Sequence, residues 1–196
     1  MHIKIIYMIF SYLSGAVPYG YIFVKFFKGE DIRKLGSGNI GATNVFRFDR
    51  KLGFLTLIFD VSKAFFPTFF ALKLFSFDLA ALVALLVIFG HITSPFLRFK
   101  GGKGVACALG AFLALIPFPL LIGVITFIVI IALFRMVSLG SLTGSLAVLL
   151  TVLFFENYPL YFNALLFITV VLIFWAHRSN IKRIIKGEES KISFKG

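Results

Sequence analysis

The sequence is poor in the residues that build disulfides, metal cages and acidic active sites. It has one cysteine, Cys107, so it can form neither an internal disulfide nor a cysteine-based metal cage. Only 8 of its 196 residues are acidic, and they form no tight carboxylate or histidine cluster of the kind that Mg²⁺ or Zn²⁺ requires. A G-x-S-x-G elbow is also absent, which argues against a serine hydrolase. We therefore expect no metal.

The chain is instead rich in hydrocarbon. Hydrophobic residues make up 60% of it, phenylalanine alone occurs 27 times, and the mean hydropathy is +1.01. The apolar runs lack the period-2 alternation of a transmembrane barrel. Their length predicts an all-α, polytopic integral membrane protein of about seven transmembrane helices, in one domain over residues 1–196. The predicted segments cover about 3–27, 52–74, 77–97, 105–116, 120–134, 139–155 and 160–176.

Glycine and proline mark where these segments bend, turn or pack. Gly15 and Pro18 are predicted bend points in the first segment. The run Pro117-Phe118-Pro119 predicts a tight reversal. Three spaced small residues in the sixth segment predict a close approach of another helix, and these are Gly140, Gly144 and Ala147.

The charge balance is strongly basic, with a net charge of +12. Such a balance can indicate nucleic-acid binding, but here the basic residues lie at the ends of the apolar runs rather than in a soluble patch. We therefore expect them to face anionic lipids and small anionic substrates, and we expect no nucleic-acid partner.

The first polar island, residues 34–47, is the longest polar segment of the chain. Its glycines free the backbone to take positive φ and to approach a ligand closely, and its small side chains supply hydroxyl and amide groups. Such groups, with a terminal arginine, suit a phosphate or acyl oxygen. The candidate residues are Ser37, Gly38, Asn39, Gly41, Thr43, Asn44 and Arg47. The alternative is a flexible polar loop between helices.

The second polar island, residues 98–104, ends in Gly101-Gly102-Lys103-Gly104, directly before an apolar helical run. Unpaired N–H groups and the positive end of the dipole at a helix start attract an anion, and Lys103 adds a full charge. The spacing is not that of a Walker A motif. Residues 36–41 formally match the dinucleotide fingerprint, but no βαβ unit surrounds them. Taken alone, the glycine motif fits an anion site and a basic turn equally.

The third polar island, residues 177–183, follows the last apolar run. His177 and Asn180 lie three positions apart, so on a continuing helix they share a face. A histidine can act as a base near neutral pH or donate to an anion. The alternative is a helix-terminal histidine favoured by the dipole, with Arg178 snorkelling.

The predicted topology brings all three islands to one face of the membrane. They follow crossings one, three and seven, which are all odd. Lys4 and Lys73 lie near the opposite face and Lys63 lies inside, so the other 17 of the 20 basic residues share the face of the islands. By the positive-inside rule this face is cytoplasmic, the C-terminus is cytoplasmic and the N-terminus is outside.

Four residues within the apolar segments need a separate interpretation. Asp60 and Lys63 are helical neighbours, and because an intramembrane charge is costly we favour a structural ion pair over a catalytic role. His91 is interpreted as a hydrogen-bonded interior histidine rather than a ligand. Cys107 is interpreted as a small apolar residue.

Taken together, the three islands resemble the bacterial acyl-phosphate:glycerol-3-phosphate acyltransferase family, known as PlsY. The resemblance rests on Ser37-Gly38-Asn39-Ile40-Gly41-Ala42-Thr43-Asn44 with Arg47, on Gly101-Gly102-Lys103-Gly104-Val105-Ala106, and on His177-Arg178 with Asn180-Ile181. It extends to Asp60 with Lys63, Gly90-His91, and Gly187 with Glu189, so it covers most of the chain. Two departures are minor: Cys107 stands where the family commonly has Thr, and Ala64 where it commonly has Gly.

The resemblance implies transfer of a fatty acyl group from acyl phosphate to the 1-hydroxyl of glycerol 3-phosphate, giving lysophosphatidic acid and phosphate in phospholipid synthesis. Because acyl phosphate is already activated, no cofactor is implied. The implied partners are the two substrates, membrane lipids and, functionally, the soluble enzyme that makes acyl phosphate. The implied location is the bacterial cytoplasmic (inner) membrane, with the active site on the cytoplasmic side.

Residue roles follow from the same resemblance, as hypotheses. Ser37, Asn39, Thr43 and the amides of residues 101–104 hold the acyl phosphate and stabilise the developing oxyanion. Arg47 and Lys103 grip phosphate, while His177 and Asn180 orient glycerol 3-phosphate. Either His177 or the substrate's own phosphate takes the proton.

A transporter or channel for an organic anion is the competing class. It explains the basic face and the charges of Asp60 and Lys63. It also predicts an internal repeat and polar residues along a path to both faces. The sequence shows no repeat, and its outer face has little polar content beyond Glu156 and Asn157, which favours the enzyme.

Overall fold

The computed structural model describes residues 2–192, and within that range it is built from helices, with no β-strand. The all-α prediction is therefore confirmed. The α-helices are α1 His2–Ala16, α2 Tyr19–Lys28, α3 Ala42–Phe48, α4 Arg50–Leu74, α5 Phe77–Ile92, α6 Val105–Leu115, α7 Pro117–Phe134, α8 Val137–Phe155, α9 Leu160–Ala176 and α10 Arg178–Ile185. Short 3-10 helices cover Ile32–Lys34 and Pro95–Leu97.

Several helices are long and apolar enough to cross a membrane. Four meet that condition alone, namely α4, Phe77–Leu97, α7 and α8. The number rises to six if the bent pairs α1–α2 and α9–α10 each count as one span, and α6 is a shorter apolar helix. A multi-pass membrane protein is the class that fits. The count of about seven and the orientation of the termini stay predictions.

The chain divides into two compact units, Met1–Leu115 and Ile116–Gly196. In the first unit α4 packs against α3, α5 and α6, and α1 packs against α5. In the second unit α8 packs against α7 and α9. That all 196 residues form one domain stays a prediction.

Small residues allow close helix crossings in the first unit. Gly15 of α1 lies against the backbone of Val87 in α5, and Gly90 of α5 lies against the carbonyl of Tyr12. Any side chain at either glycine meets main-chain atoms of the other helix. Such contacts replace the hydrophobic driving force that helices in lipid lack.

The bend predicted at Pro18 is confirmed, since α1 and α2 meet at 44° around Val17 and Pro18. A second proline, Pro67, lies inside α4 and cannot donate to the carbonyl of Lys63 one turn earlier. Ser14 of α1 donates its hydroxyl to that carbonyl at 3.2 Å. Within the bilayer a freed backbone acceptor thus finds a partner on a neighbouring helix.

The second unit confirms one packing prediction and corrects one turn. Gly144 of α8 lies against the carbonyl of Gly123 in α7, and Gly140 lies against that of Phe127, as the spaced small residues predict. The tight reversal predicted at residues 117–119 is wrong, because α7 begins at Pro117. Proline is well accommodated in a first turn, where its missing N–H has no partner to lose.

Candidate functional site

Asn44 is the side chain around which the first polar island folds. It is only 3% exposed. Its Nδ2 donates to the carbonyls of Leu35 at 3.0 Å and Asn39 at 2.9 Å, and its Oδ1 accepts the Ser37 amide at 2.9 Å. Both ends of the side-chain amide are therefore engaged inside the island. Asn44, predicted to bind substrate, shapes the loop that presents the other candidates.

The turn around Ser37 depends on glycine. Gly36 and Gly38 have φ of +55° and +71°, in the left-handed region that suits glycine. Ser37 lies exposed between them, its backbone held by Asn44. The Oδ1 of Asn39 then accepts the N–H of Gly41 at 2.8 Å, immediately before α3.

The first polar island contains a helix, α3, that the sequence did not predict. Thr43 and Arg47 lie four positions apart on α3, so they share a face, and both are exposed. Arg47 has no ion-pair partner among residues 2–192. By contrast, Arg33 hydrogen-bonds to Asp31 at 2.7 Å and lowers the pKa of that carboxyl to about 2.

An apolar cluster ties the first polar island to the chain that enters the second. Its members come from α2, the 3-10 helix Ile32–Lys34, the first polar island, the start of α4 and the 3-10 helix before residue 98, and are Val24, Ile32, Ile40, Val45, Leu52 and Leu97. Because Leu97 directly precedes the second polar island, the two islands belong to one packed region of the first unit.

The glycine motif of the second polar island folds back onto the end of α5. The N–H of Gly101 donates to the carbonyl of Ile92 at 3.1 Å, and the N–H of Gly102 donates to that of His91 at 2.9 Å. Gly104 has φ of +82° and precedes α6. The chain therefore turns from one helix end directly into the start of the next.

This arrangement narrows which amides can hold an anion. The N–H groups of Gly101 and Gly102 are already engaged by carbonyls, so the prediction that all four amides bind the substrate is not supported for these two. The amides that follow in the first turn of α6, which begins at Val105, are the remaining candidates, since helix geometry leaves such groups without an intrahelical partner. Lys103 lies half-buried just before this turn.

A buried charge network lies directly behind the glycine motif. The Nζ of Lys63 is 2.7 Å from Oδ1 of Asp60, 2.6 Å from the carbonyl of Val17 and 3.0 Å from Nδ1 of His91. Asp60, Lys63 and His91 are each at most 6% exposed. The predicted ion pair and the predicted interior histidine are both confirmed.

The same network bears on metal binding. Asp60, His91 and Cys107 place one ligand atom each within 4.8 Å of one another, the one such group found among residues 2–192. The ammonium of Lys63, however, contacts both the carboxylate and the imidazole. These residues therefore already surround a cation of the protein's own, and they do not fit a metal.

His177 marks the junction of α9 and α10, which meet at 61°. The continuous helix assumed for His177 and Asn180 is thus bent at the histidine itself. His177 is 2% exposed, and its Nδ1 lies 2.8 Å from the carbonyl of Ile173. Because a carbonyl only accepts, Nδ1 carries the proton, and in the neutral ring Nε2 carries the lone pair.

Asn180 is held by a carboxylate from the C-terminal tail. Its Nδ2 donates to Oε1 of Glu189 at 2.7 Å, and Oε1 also accepts from Ser138 at 2.8 Å, while Arg183 donates to Oε2 at 2.7 Å. The Oδ1 of Asn180 is buried and has no hydrogen-bond partner in the described part of the chain. The carboxylate forces this orientation, since only the NH₂ end can donate to it.

Glu189 is a buried residue beside Asn180 whose contacts the sequence did not predict. Burial alone raises its pKa, but the hydrogen bonds from Asn180, Ser138 and Arg183 outweigh burial and hold the pKa below its usual range. Its partner Ser138 lies 51 positions away. The only signal in the sequence is a pair of acidic residues in a basic tail, Glu188 and Glu189, of which the family resemblance includes Glu189.

The structure thus places the predicted residues in two sets. The first and second polar islands lie in the first unit, and the third polar island lies in the second unit. That His177 and Asn180 join the first set in one pocket stays a prediction.

Comparison with known sequences gives consistent similarities along nearly the whole chain. A family model described as glycerol-3-phosphate acyltransferase matches residues 5–187. A glycerol-3-phosphate acyltransferase from Endomicrobium trichonymphae is 43% identical over 196 residues, covering 98% of this chain and 97% of the other. One from Lawsonia intracellularis is 44% identical over 194 residues, covering 96% of each.

Two crystal structures of PlsY, an integral membrane glycerol 3-phosphate acyltransferase, are also similar. Its glycerol 3-phosphate form superimposes with a TM-score of 0.92 at 36% identity, covering 97% of this chain and 96% of that one. Its lysophosphatidic acid form gives a TM-score of 0.89 at 34% identity, covering 97% and 95%.

Proposed function

The chain belongs to the glycerol-3-phosphate acyltransferase family, and we propose that it transfers a fatty acyl group from acyl phosphate to the 1-hydroxyl of glycerol 3-phosphate. The products are lysophosphatidic acid and inorganic phosphate. The observation that carries this function is the match of nearly the whole chain to an integral membrane enzyme whose structures are a glycerol 3-phosphate form and a lysophosphatidic acid form.

The first unit supplies groups suited to the acyl phosphate. Ser37, Asn39 and Thr43 offer hydroxyl and amide groups on a turn that Asn44 keeps in shape. Arg47, exposed on the same helical face as Thr43, grips phosphate. Lys103 adds a second positive charge beside the amides at the start of α6.

The second unit supplies groups suited to an alcohol. His177 presents an imidazole whose Nδ1 side is fixed by the Ile173 carbonyl, which leaves Nε2 as the atom that can take a proton. Asn180 presents Oδ1, an acceptor suited to a hydroxyl of glycerol 3-phosphate.

The chemistry needs little beyond placement and charge. The oxygen of the 1-hydroxyl attacks the acyl carbon, a new C–O ester bond forms, and the C–O bond to phosphate breaks. The phosphate leaves with the electron pair of that bond. The hydroxyl proton passes to Nε2 of His177 or to phosphate, and the cationic side chains stabilise the charge on the departing group.

The setting of the reaction is proposed on the same grounds. The long apolar helices support a location in a membrane. The excess of basic residues around the polar islands supports their location on the cytoplasmic side of the bacterial inner membrane. The acyl phosphate then comes from a soluble enzyme on that side.

A comparison of acyl donors with purified protein tests the proposal. Acyl phosphate, acyl-CoA and acyl-acyl carrier protein are offered separately with labelled glycerol 3-phosphate, with EDTA present. Lysophosphatidic acid forms from acyl phosphate alone. Product from a thioester donor only, or no product from any donor, overturns the proposal.

The base is tested separately by His177→Gln. If Nε2 of His177 takes the proton, turnover falls by about 100-fold or more, with KM for glycerol 3-phosphate changing less. Turnover close to that of the unaltered protein shows instead that phosphate takes the proton.

A further inference from the structure

The glycine motif rests on a histidine that belongs to no substrate-facing set. His91 lies near the end of α5, in a buried position, and its backbone carbonyl accepts the N–H of Gly102. A Cβ added to Gly102 falls on Nε2 of the His91 ring. The imidazole therefore occupies the space that a side chain at position 102 would need, so Gly102 is held by His91 at its amide and at its Cα.

The orientation of this ring is fixed from the other side. Nδ1 of His91 lies 3.0 Å from the Nζ of Lys63, which only donates, so Nδ1 accepts and the proton of the neutral ring sits on Nε2. Lys63 is in turn fixed by Asp60 and by the carbonyl of Val17 at the bend between α1 and α2. The ring thus has one orientation, set by groups 28 to 74 positions earlier in the chain.

We infer that His91 is a positioning residue for acyl transfer: its imidazole, locked by Lys63, is the support that sets where Gly102 and the following amides lie relative to phosphate. This inference rests on the proposed function, in which the amides at the start of α6, after Gly102, lie beside a phosphorylated substrate. His91 itself touches no reacting atom.

Two substitutions separate positioning from simple support of the helices. His91→Asn keeps an acceptor oxygen near the position of Nδ1 for Lys63 but ends short of Gly102. His91→Gln reaches towards Gly102 but places a carbon where Lys63 needs an acceptor. Positioning predicts that His91→Asn melts near the temperature of the unaltered protein while KM for a phosphorylated substrate rises roughly ten-fold to 100-fold. For His91→Gln it predicts a lower melting temperature, because Lys63 loses its acceptor, and a smaller rise in KM than for His91→Asn, because the side chain still reaches Gly102.

Gly102→Ala tests the contact directly. Alone it lowers kcat/KM, because its Cβ and the His91 ring cannot share one space. In His91→Asn/Gly102→Ala the new methyl group fills the gap left by the shortened side chain, so the double variant is more active than either single variant. Effects that simply multiply, or a His91→Asn enzyme with unchanged KM, overturn the inference.

The assay distinguishes a failure of the proposed function from a failure of the inference about His91. If the unaltered protein makes no lysophosphatidic acid from acyl phosphate, the proposed function fails. If it is active but the variants do not follow this pattern, the inference alone fails.

A measurement on the unaltered protein covers the case in which His91→Asn does not fold. With ¹⁵N-labelled histidine, the His91 ring signals, assigned with His2→Ala and His177→Gln, shift on saturation with glycerol 3-phosphate or inorganic phosphate. Ring signals that stay unchanged with both ligands overturn the inference.

Discussion

The two polar islands of the first unit are supported in opposite ways. The first polar island carries its own framework: the side chain of Asn44 binds backbone groups 5 to 12 positions away, and the turn closes on itself. The second polar island is held from outside. Its glycines rest on the end of α5, and that surface is held by Lys63, Asp60 and the bend at Val17.

The difference shows two ways in which a membrane protein can hold a polar loop in place. A loop rich in Asn and Ser can satisfy its own backbone with local side chains. A loop of glycines can approach a ligand closely but has nothing with which to fix itself, so rigidity has to be supplied by distant residues. Substitutions within the first polar island should therefore disturb that island most, whereas the second should be disturbed by substitutions far away in the sequence.

The largest effect is expected when the distant support of the second polar island is removed. Lys63→Met leaves the Asp60 carboxylate buried without its cation, which lowers the free energy of unfolding by about 3–5 kcal/mol. Thermal unfolding in detergent measures it, with exposed Lys73→Met as the control on the same helix. Asp60→Asn/Lys63→Met should recover much of the loss. A melting temperature unchanged in Lys63→Met contradicts the role assigned to the network.

The next largest effect is expected at an exposed side chain of the first polar island that takes no part in holding the loop together. Arg47→Ala removes an exposed charge with no partner in the described chain, so stability stays the same while kcat/KM falls by about 100-fold. Arg50→Ala, exposed at the start of α4, is the matched control. If Arg47→Ala leaves the apparent affinity for both substrates intact, the phosphate-gripping role is wrong.

The internal framework is tested by Asn44→Ala, which removes the hydrogen bonds of Asn44 to the Ser37 amide and to the Leu35 and Asn39 carbonyls, of which the Leu35 carbonyl keeps the N–H of Gly38. We expect a loss of about 1–3 kcal/mol in unfolding free energy together with a loss of activity. Thr43→Ala, one position away but exposed, should leave the melting temperature unchanged. Equal melting temperatures for the two variants would mean that the loop is not organised by Asn44.

The smallest effect is expected in the second unit, where the titratable carboxylate of Glu189 holds Asn180. Because the folded pKa of Glu189 is lowered, its stabilisation is present above the ordinary glutamate pKa of about 4.3 and is lost as pH falls through the folded value. The melting temperature of Glu189→Gln should therefore lie below that of the unaltered protein at pH 7, and the gap should narrow below about pH 4.

Exposed Glu188→Gln serves as the control for that pH series and should follow the unaltered protein throughout. A gap between Glu189→Gln and the unaltered protein that stays constant with pH means that the charge of Glu189 plays no part in holding Asn180.

Sequence patterns predicted the features that depend on neighbours along one helix. The bounds of α9, the bend at Pro18 and the Asp60–Lys63 pair all follow from hydropathy, proline or the spacing of one turn. The three candidate islands were likewise visible as breaks in an apolar chain, because polar residues within a membrane are costly and usually mark functional sites.

What the sequence did not reveal depends on contacts between distant segments. No periodicity indicates that the Gly102 amide is engaged by His91, or that Glu189 holds Asn180 and Ser138 together. The use of Asn44 inside its own loop was also missed, because an asparagine in a polar stretch suits a ligand and a backbone carbonyl equally well.

The spacing of Asp60 and Lys63 has a consequence for how the protein is made. Because both charges lie in the middle of α4, one turn apart, this apolar part of the nascent helix brings its counter-ion with it and enters the lipid close to electrically neutral. His91 is synthesised 28 residues later, so it docks onto a pair that is already formed. A chain that carried the two charges on different helices would have to insert each one alone.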